Sequence, residues 1–429
     1  MRINRLKHVP ILRFPEFDGE WVEKRLCDVA TKIGSGVTPK GGSEVYIENQ
    51  VPFIRSQNVL NDKLVLDGVC IDEKTHNKMK NSWVKPNDIL LNITGGSLGR
   101  SCLIPTTIIK ANVNQHVCII RLKKEYAPKY FQSLIASHKG QTQLIRSQTG
   151  SGREGLNFQS LKMFKLYAPK FDEQQKIAAF LSAVDKKIEL LTKKKELLEQ
   201  YKKGVMQQIF TQKIHFKDQN GNPYPTWQTK RLGEVCEYIS TNSLSRNDLN
   251  YESGNILNIH YGDIHTKLKS LFEANDNILP FINAEKEDVL SSPTQFCKEG
   301  DLIIADASED LLDIGKSIEI IDIKRKKIVA GLHTVVLRDI NSNFEVGFKS
   351  LLFSTQNIRE QIQKNAQGIS VLGISKKAIS RLKIQLPDKV EQRIIVDFVS
   401  KIIRQIDDIQ SLINSTSTFK KSLLQKMLV

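Results

Sequence analysis

The stretches "PKFDEQQKIAAF" at 169–180 and "PDKVEQRIIVDF" at 387–398 decide how this chain is read. Each opens on proline, reaches Glu-Gln four residues later, and then turns apolar at helical spacing. A proline at that place marks where a helix cannot yet have begun. Beyond it, at an offset of 218 residues, the copies match at Glu173/Glu391, Gln174/Gln392, Ile177/Ile395, Phe180/Phe398, Ser182/Ser400, Ile188/Ile406, Lys202/Lys420, Lys203/Lys421 and Gln207/Gln425. Ile177, Leu181, Val184, Ile188 and Leu191 step by 4 and 3, and Ile395, Val399, Ile402, Ile406, Ile409 and Ile413 keep the same rhythm. An average period of 3.5 predicts a helix wound on another helix, where 3.6 would predict a surface helix on its own domain. Each helix spans ~39 residues, about 58 Å at 1.5 Å per residue. Lys195, Lys202, Thr416 and Lys420 interrupt the seam, so the distal ends are expected to splay or to bind something else.

The rest of the chain repeats more loosely. "WVEKRLCDVATKI" at 21–33 echoes "WQTKRLGEVCEYI" at 227–239, "NQHVCIIRL" at 114–122 echoes "GLHTVVLRD" at 331–339, and Gly150 and Gly155 return as Gly368 and Gly373. Within each half, β-type runs such as "DILLNIT", "HVCIIRL", "DLIIAD", "IEIIDI" and "HTVVLR" alternate with turns. A shorter helix follows them at 129–145, with its copy at 347–362. The expected fold is mixed α/β: two similar globular domains separated by two long helices forming an antiparallel coiled coil, with an internal pseudo-two-fold repeat. The expected boundaries are 1–171, 172–213 for the central helix, 214–388, and 389–429 for the C-terminal helix.

With 63 Lys+Arg against 47 Asp+Glu, the formal charge of +16 points to a polyanionic partner. Residues 89–124 hold no carboxylate yet carry Arg100, Lys110, Arg121, Lys123 and Lys124; residues 323–338 likewise hold Lys324, Arg325, Lys326, Lys327 and Arg338. Such strips can neutralise phosphates, and the interleaved Asn112, Asn114, Gln115 and His116 can address base edges. Two domains on a long spacer suit B-DNA, where equivalent groove positions recur every ~34 Å. No apolar run reaches the ~20 residues of a membrane span, and "MRINRLKHVP" lacks the apolar core of a signal peptide. The six scattered cysteines include no C-x-x-C, so buried thiols in a reducing cytoplasm are expected, with no metal site.

Catalytic patterns are poor. "GGSLG" at 95–99 matches G-x-S-x-G but is followed by a strand-like run instead of the helix a nucleophile elbow needs. "DIGKS" at 313–317 lacks the earlier glycine of a P-loop, Asp310 standing there. Asp306, Asp322 and Lys324 could form a Mg²⁺-dependent nuclease site, an Asp and a D-x-K on neighbouring strands. A structural coiled-coil adaptor with an accidental basic charge is a third reading.

The order of motifs resembles the specificity subunit of type I restriction–modification systems. The features are "W..KRL" opening each half, "VPFIRSQNV" at 51–59, "NITGGSLGR" at 92–100, "NVNQHVCIIRL" at 112–122, and "TGSGREGLNFQSLKMFKLYAP" at 149–169 running into "EQQKIAAFL". The second half repeats the scheme with "GISVLGISKKAISRLKIQLP" at 368–387 and "EQRIIVDFV". The resemblance implies a non-catalytic subunit whose two target recognition domains each read one half of a split double-stranded DNA sequence. It implies helices that set the unread spacer and dock two modification subunits, which are adenine methyltransferases; here Glu173, Gln174, Phe180, Glu391, Gln392 and Phe398 would dock. Two restriction and translocase subunits could join. S-adenosylmethionine, ATP and Mg²⁺ would then belong to the partners, and this chain would carry no cofactor. DNA contacts are expected from Arg55, Ser56, Gln57, Asn58, Arg100, Asn114, Gln115, His116, Ser151 and Arg153, and in the second half from His260, Tyr261, Asp263, Lys316, His333 and Ser370. "DASEDLLDIGK" departs from "NITGGSLGR" by being acidic, so in that loop only Lys316 is set opposite Arg100.

Overall fold

The computed structural model describes residues 8–148, 155–274, 278–290 and 295–428. It divides into two compact units, residues up to 193 with 410–429, and residues 194–409. In the first unit, strand Val117–Leu122 lies antiparallel between Ala30–Ser35 and Ile89–Asn92, and Ser101–Leu103 extends the sheet. Val51–Ile54 pairs antiparallel with Cys70–Ile71 and parallel with Asn112–Val113. In the second unit, Thr334–Asp339 takes the place of Val117–Leu122, between Cys236–Ile239 and Leu302–Ala305, with Ser317–Asp322 and Leu271–Glu273 beyond. The counterpart of that parallel pair is Ile256–Ile259 with Lys327–Ala330, and Leu271–Glu273 also runs parallel to Ser317–Asp322. Ile89–Asn92 and Leu302–Ala305 are buried along their whole length, which is why they read as apolar runs, broken only at Asn92. Each unit is mixed α/β, as the sequence indicates.

The Glu-Gln motif explains itself in the structure. Strand Val22–Arg25 runs antiparallel to Lys165–Ala168, the strand that leads through Pro169 into helix Phe171–Phe210. This sets Trp21 beside Glu173, whose carboxylate accepts the indole N–H at 3.3 Å and both arms of Arg13 at 2.7 Å. Gln174 donates to the Pro169 carbonyl at 2.9 Å and accepts the Ala127 N–H at 3.1 Å. In the second unit, Gln228–Arg231 pairs with Lys383–Leu386 ahead of Pro387 and helix Lys389–Met427. There Glu391 accepts the Trp227 indole N–H at 2.9 Å, while Gln392 donates to the Pro387 carbonyl at 3.0 Å and accepts the Glu345 N–H at 2.9 Å. All four side chains are buried, and buried polar groups must find such partners or cost stability. Of the residues expected to dock partners, Glu173, Gln174, Glu391 and Gln392 face inward in this structure and lock the start of each long helix to the domain that precedes it. Phe180 and Phe398 also pack inward in part, against Phe14 and Phe216 at ring separations of 5.8 and 6.2 Å.

The long helices pack on each other antiparallel. In the first unit Ile177, Leu181 and Val184 share a core with Leu423 and Met427; in the second, Val205, Met206 and Ile209 share one with Ile395 and Val399. The distal ends do not splay. Lys420 is only 14% exposed and reaches Asp62 at 2.5 Å and Asp185 at 2.6 Å. Burial opposes its charge, but these carboxylates outweigh burial and hold its pKa above the ordinary lysine value. The lysine is thus absorbed into the seam, which resumes at Leu423. Thr416 is buried as well.

Two further expectations are revised. The run at 129–145 is two helices, Pro128–Ala136 and His138–Arg146, because the Ser137 side chain accepts the Gly140 N–H at 3.1 Å and starts a new helix. A Cβ on Gly140 would fall 2.2 Å from the Leu134 carbonyl oxygen, so only glycine permits this break. The copy breaks likewise into Phe348–Phe353 and Gln356–Asn365. Five of the cysteines are buried, but Cys27 is exposed.

Candidate nucleic-acid interface

Strand ends gather the candidate residues. In the first unit the parallel strands Val51–Ile54 and Asn112–Val113 end side by side, with Ile54 opposite Val113. They release Arg55–Asn58 and Asn114–His116 next to one another. Ile89–Asn92 delivers a third loop: the Ile93 N–H donates to the His116 carbonyl at 3.1 Å, and the Asn92 side chain donates to the Ser56 carbonyl at 2.8 Å. In the second unit Ile259 lies opposite Ala330, releasing His260 and the Gly331–His333 turn. Leu302–Ala305 again supplies the third loop, the Asp306 N–H donating to the His333 carbonyl at 3.1 Å. The topology therefore brings Arg55, Ser56, Gln57, Asn58, Arg100, Asn114, Gln115 and His116 into one set of loops, and His260, Tyr261, Asp263, Lys316 and His333 into a corresponding set. Ser370 is exposed just ahead of Leu372–Gly373, which pairs with Ala307–Ser308. Ser151 and Arg153 lie outside the described residues.

Within these sets the structure separates presented groups from supporting ones. Asn58 is buried, accepting the Arg55 N–H at 2.8 Å and donating to the Val65 carbonyl at 2.9 Å. Asn114 is buried and accepts the His116 N–H at 3.1 Å. Asp263 is fully buried against Arg246, at 2.9 and 3.1 Å, and Lys267, at 3.4 Å. Expected as contacts, these three shape the loops in this structure instead of reaching outward. Asn112 is likewise buried, donating to the Met79 carbonyl at 3.1 Å. Gln57, Arg100 and Gln115 are exposed, with Arg55 and His116 half-buried.

The electrostatics of the two sets differ. Asp67 accepts from Arg55 and, at 2.7 Å, from Gln57. Burial pushes Asp67 up, but the hydrogen bonds from Gln57 and Asn58 and the Arg55 charge hold it below the usual carboxylate range. Thr94 meets His116 Nδ1 at 2.7 Å, and Thr38 bonds Gln115. In the second unit Tyr261 stands among three imidazoles, with ring centroids 4.5 Å from His260, 6.2 Å from His265 and 5.4 Å from His333. His260 accepts the Gly262 N–H at 3.1 Å, and burial with the nearby Arg246 lowers its pKa. Lys316 donates to the His265 carbonyl at 2.8 Å, and His333 Nδ1 lies 3.4 Å from Asp306. One set offers amide and guanidinium forks suited to base edges and phosphates; the other offers an aromatic and imidazole surface.

The basic strips are weaker than their sequence indicates. Arg121 forms a fork with Asp88 at 2.7 and 2.8 Å, Arg338 does the same with Asp301 at 2.6 and 2.9 Å, and Lys110 pairs with Glu73. These carboxylates stand outside the strips in sequence and beside them in space. Asp67, Thr38, Thr94 and Arg246 are supporting residues that the sequence reading missed. Only Asp67 carries a local signal, an Asp-Gly turn dipeptide whose Gly68 has φ +82°.

The nuclease arrangement does not form. Asp306 follows the end of Leu302–Ala305, whereas Asp322 ends the antiparallel strand Ser317–Asp322, in which Ser317 faces Ile304 and Glu319 faces Leu302. The two aspartates thus sit at opposite ends of the strand pair, and Lys324 pairs with Glu273 at 3.5 Å. Among the described residues no group of three or more His, Cys, Asp or Glu could hold a metal ion.

Comparison with known proteins agrees with this geometry. The family model described as "Type I restriction modification DNA specificity domain" matches residues 18–200 and again 224–415. The chain belongs to the type I restriction–modification DNA specificity family. It is 25% identical over 409 residues to the type I restriction enzyme MjaVIII specificity subunit of Methanocaldococcus jannaschii, covering 92% of this chain and 88% of that one. It is 21% identical to the putative MjaX specificity subunit of the same organism, at the same coverage. The fold matches the crystal structure of a type I restriction–modification S subunit from M. genitalium with a TM-score of 0.60 at 15% identity, over 98% of this chain and 99% of that one. As a member of this specificity family the chain serves DNA target recognition and is a non-catalytic component, so the nuclease and adaptor readings are set aside. Among the described residues no helix is long and apolar enough to cross a membrane.

Proposed function

We propose that each unit reads one half of a bipartite double-stranded DNA target, with residues 1–171 and 214–388 as the reading modules and 172–213 and 389–429 as spacer and docking helices. The observation that carries this reading is the shared constellation of three loops at corresponding strand ends, furnished with different side chains in the two units. A common frame with different contents is what two readers of unlike half-sites require. Exposed groups at these loops, namely Gln57, Arg100, Gln115 and Ser370 with Arg55, His116, Tyr261, Lys316 and His333, would make the contacts. Two adenine methyltransferase subunits, bringing S-adenosylmethionine, would dock along the helices, and two ATP- and Mg²⁺-dependent restriction subunits would join them in the cytoplasm.

The test is selection of bound duplexes from a random pool. The expected result is two short sequence blocks separated by an unspecified spacer of fixed length, with affinity falling steeply as salt rises. A single block, or affinity indifferent to salt, would overturn the reading.

A further inference from the structure

The first unit contains a closed ring of four charges at a junction. Lys129 lies 3.4 Å from Asp62 and 2.8 Å from Asp185; Lys420 lies 2.5 Å from Asp62 and 2.6 Å from Asp185. Each ammonium touches both carboxylates, and every member is only 14–26% exposed. The four residues come from four places: the tip of the Val59–Leu60/Lys63–Leu64 hairpin, the start of helix Pro128–Ala136, and the two long helices. Asp62 itself has φ +62°, an uncommon backbone state held by its N–H donating to the Ser101 carbonyl at 2.9 Å, while its carboxylate also accepts from Gln132 at 2.7 Å.

The hairpin continues directly from the loop Arg55–Asn58. Asn58 and Val65 bond each other in both directions at 2.9 Å, across the base of the hairpin. The loop is therefore gripped from two sides, by Asp67 on its exposed face and by the charge ring through the hairpin tip. Partly buried charges closed into a ring with fixed partners hold position more sharply than an exposed pair does.

Among the described residues the second unit shows no such ring. At the offset of 218, Ile403 stands where Asp185 stands. A cavity of about 270 Å³ opens there, lined by Leu268, Leu271, Phe272, Ile403 and Arg404 among others, and the exposed pair Lys269–Asp407 at 2.6 Å lies at its edge, with a second exposed pair, Arg393–Glu345 at 3.2 Å, nearer the start of the helix.

We infer that the ring of Asp62, Lys129, Asp185 and Lys420 is a positioning device for the first half-site: it fixes the Arg55–Asn58 loop to the helix pair, so that base discrimination by this unit depends on the ring being closed. The inference rests on the bipartite reading proposed above. It makes first-half recognition sensitive to the state of the helices and leaves second-half recognition independent of them.

The experiment uses the full chain and a duplex selected by the wild type from a random pool, together with duplexes mismatched in one half-site or the other. Lys420→Met opens the ring, Asp62→Asn weakens it while keeping the Gln132 bond, and Lys420→Arg retains it. For Lys420→Met the ratio of matched to mismatched affinity at the first half-site is expected to fall about tenfold or more, with the ratio at the second unchanged within about twofold. Asp62→Asn should show the same one-sided loss to a smaller degree, and Lys420→Arg should restore discrimination. A purely structural role would lower affinity for both half-sites alike and leave the ratios standing. Unchanged first-half discrimination in both Lys420→Met and Asp62→Asn, or equal loss at both half-sites, overturns the inference. If the wild type selects no bipartite target, the reading beneath it fails first, and the inference with it.

Discussion

Gln132 in the first unit and Lys349 in the second occupy the same step of the repeat, following Phe131 and Phe348, and both are almost fully buried. Gln132 is neutral and donates to Asp62 at 2.7 Å and to the Ser101 carbonyl at 3.2 Å. Lys349 carries an ammonium 3.7 Å from the buried Glu319 and 4.7 Å from the Phe344 ring. Glu319 also accepts the Gly347 and Ser350 N–H groups, each at 2.8 Å. The duplicated frame thus tolerates either a neutral amide or a charge pair in one core position. What differs is how each unit spends its charges: the first places them where loop meets helices, the second sinks a pair into the sheet.

The largest effect expected from this difference is at Lys349. Lys349→Met at pH 8 leaves the Glu319 carboxylate buried without its cation and should cost about 3–5 kcal/mol. Adding Glu319→Gln should recover most of that loss. Gln132→Met in the first unit should cost only about 1–3 kcal/mol. Urea unfolding of the three variants measures this, and equal losses in the two units would erase the distinction.

Next comes the clamp at the start of each helix. Glu173 holds Arg13 through two bonds as well as Trp21, whereas Glu391 holds Trp227, with burial pushing its pKa up and the indole hydrogen bond offsetting this in part. Glu173→Gln should therefore cost about 1.5–3 kcal/mol, the value of a charge-assisted bond. Glu391→Gln should cost less than Glu173→Gln, because burial opposes its charge and a single indole hydrogen bond supports it. A larger loss at Glu391 would reverse the comparison.

A smaller and continuous effect is the response to acid. Burial pushes Glu319 up to about 7 despite Lys349 and the backbone N–H groups. Its folded pKa is raised, so its contribution is complete below the unfolded carboxylate value and is lost as pH rises through about 7. For Asp62, burial acts upward, but Lys129 and Lys420 outweigh it and hold the carboxyl below its ordinary range. Its contribution is present above the unfolded value and lost as pH falls through the folded one. Lowering the pH from 8 to 5 should thus favour the second unit relative to the first, with a slope of at most about 1.4 kcal/mol per pH unit per proton. Thermal melts followed through Trp83 in one unit and Trp227 in the other can read this tilt, and parallel shifts would contradict it.

Much of the fold was legible because its signals are local and written twice. The 3.5-residue rhythm from Ile177 and from Ile395 names the helix pair, and the apolar runs at 89–91 and 302–305 name strands. Less was legible where partners are distant in sequence. Glu173 and Gln174 read as docking groups because Arg13, Trp21 and Ala127 reach them only after folding. Lys420 read as a break in the seam because Asp62, which neutralises it, lies far away in the chain. Arg121 and Arg338 read as free cations because Asp88 and Asp301, just ahead of the neighbouring strands, meet them only after folding. The candidate interface was legible as a set of loops, since short motifs mark strand ends, but not in the roles of its members. Asn58, Asn114 and Asp263 have the chemistry of readers and the burial of supports.

The central claim, that one chain carries two independent readers, is tested most directly by exchange. Residues 1–171 would be replaced by the corresponding segment of a relative with a different target, and the bound sequence selected again from a random duplex pool. The expected result is a new first block, an unchanged second block and an unchanged spacer. A target altered in both blocks, or in neither, would contradict the claim.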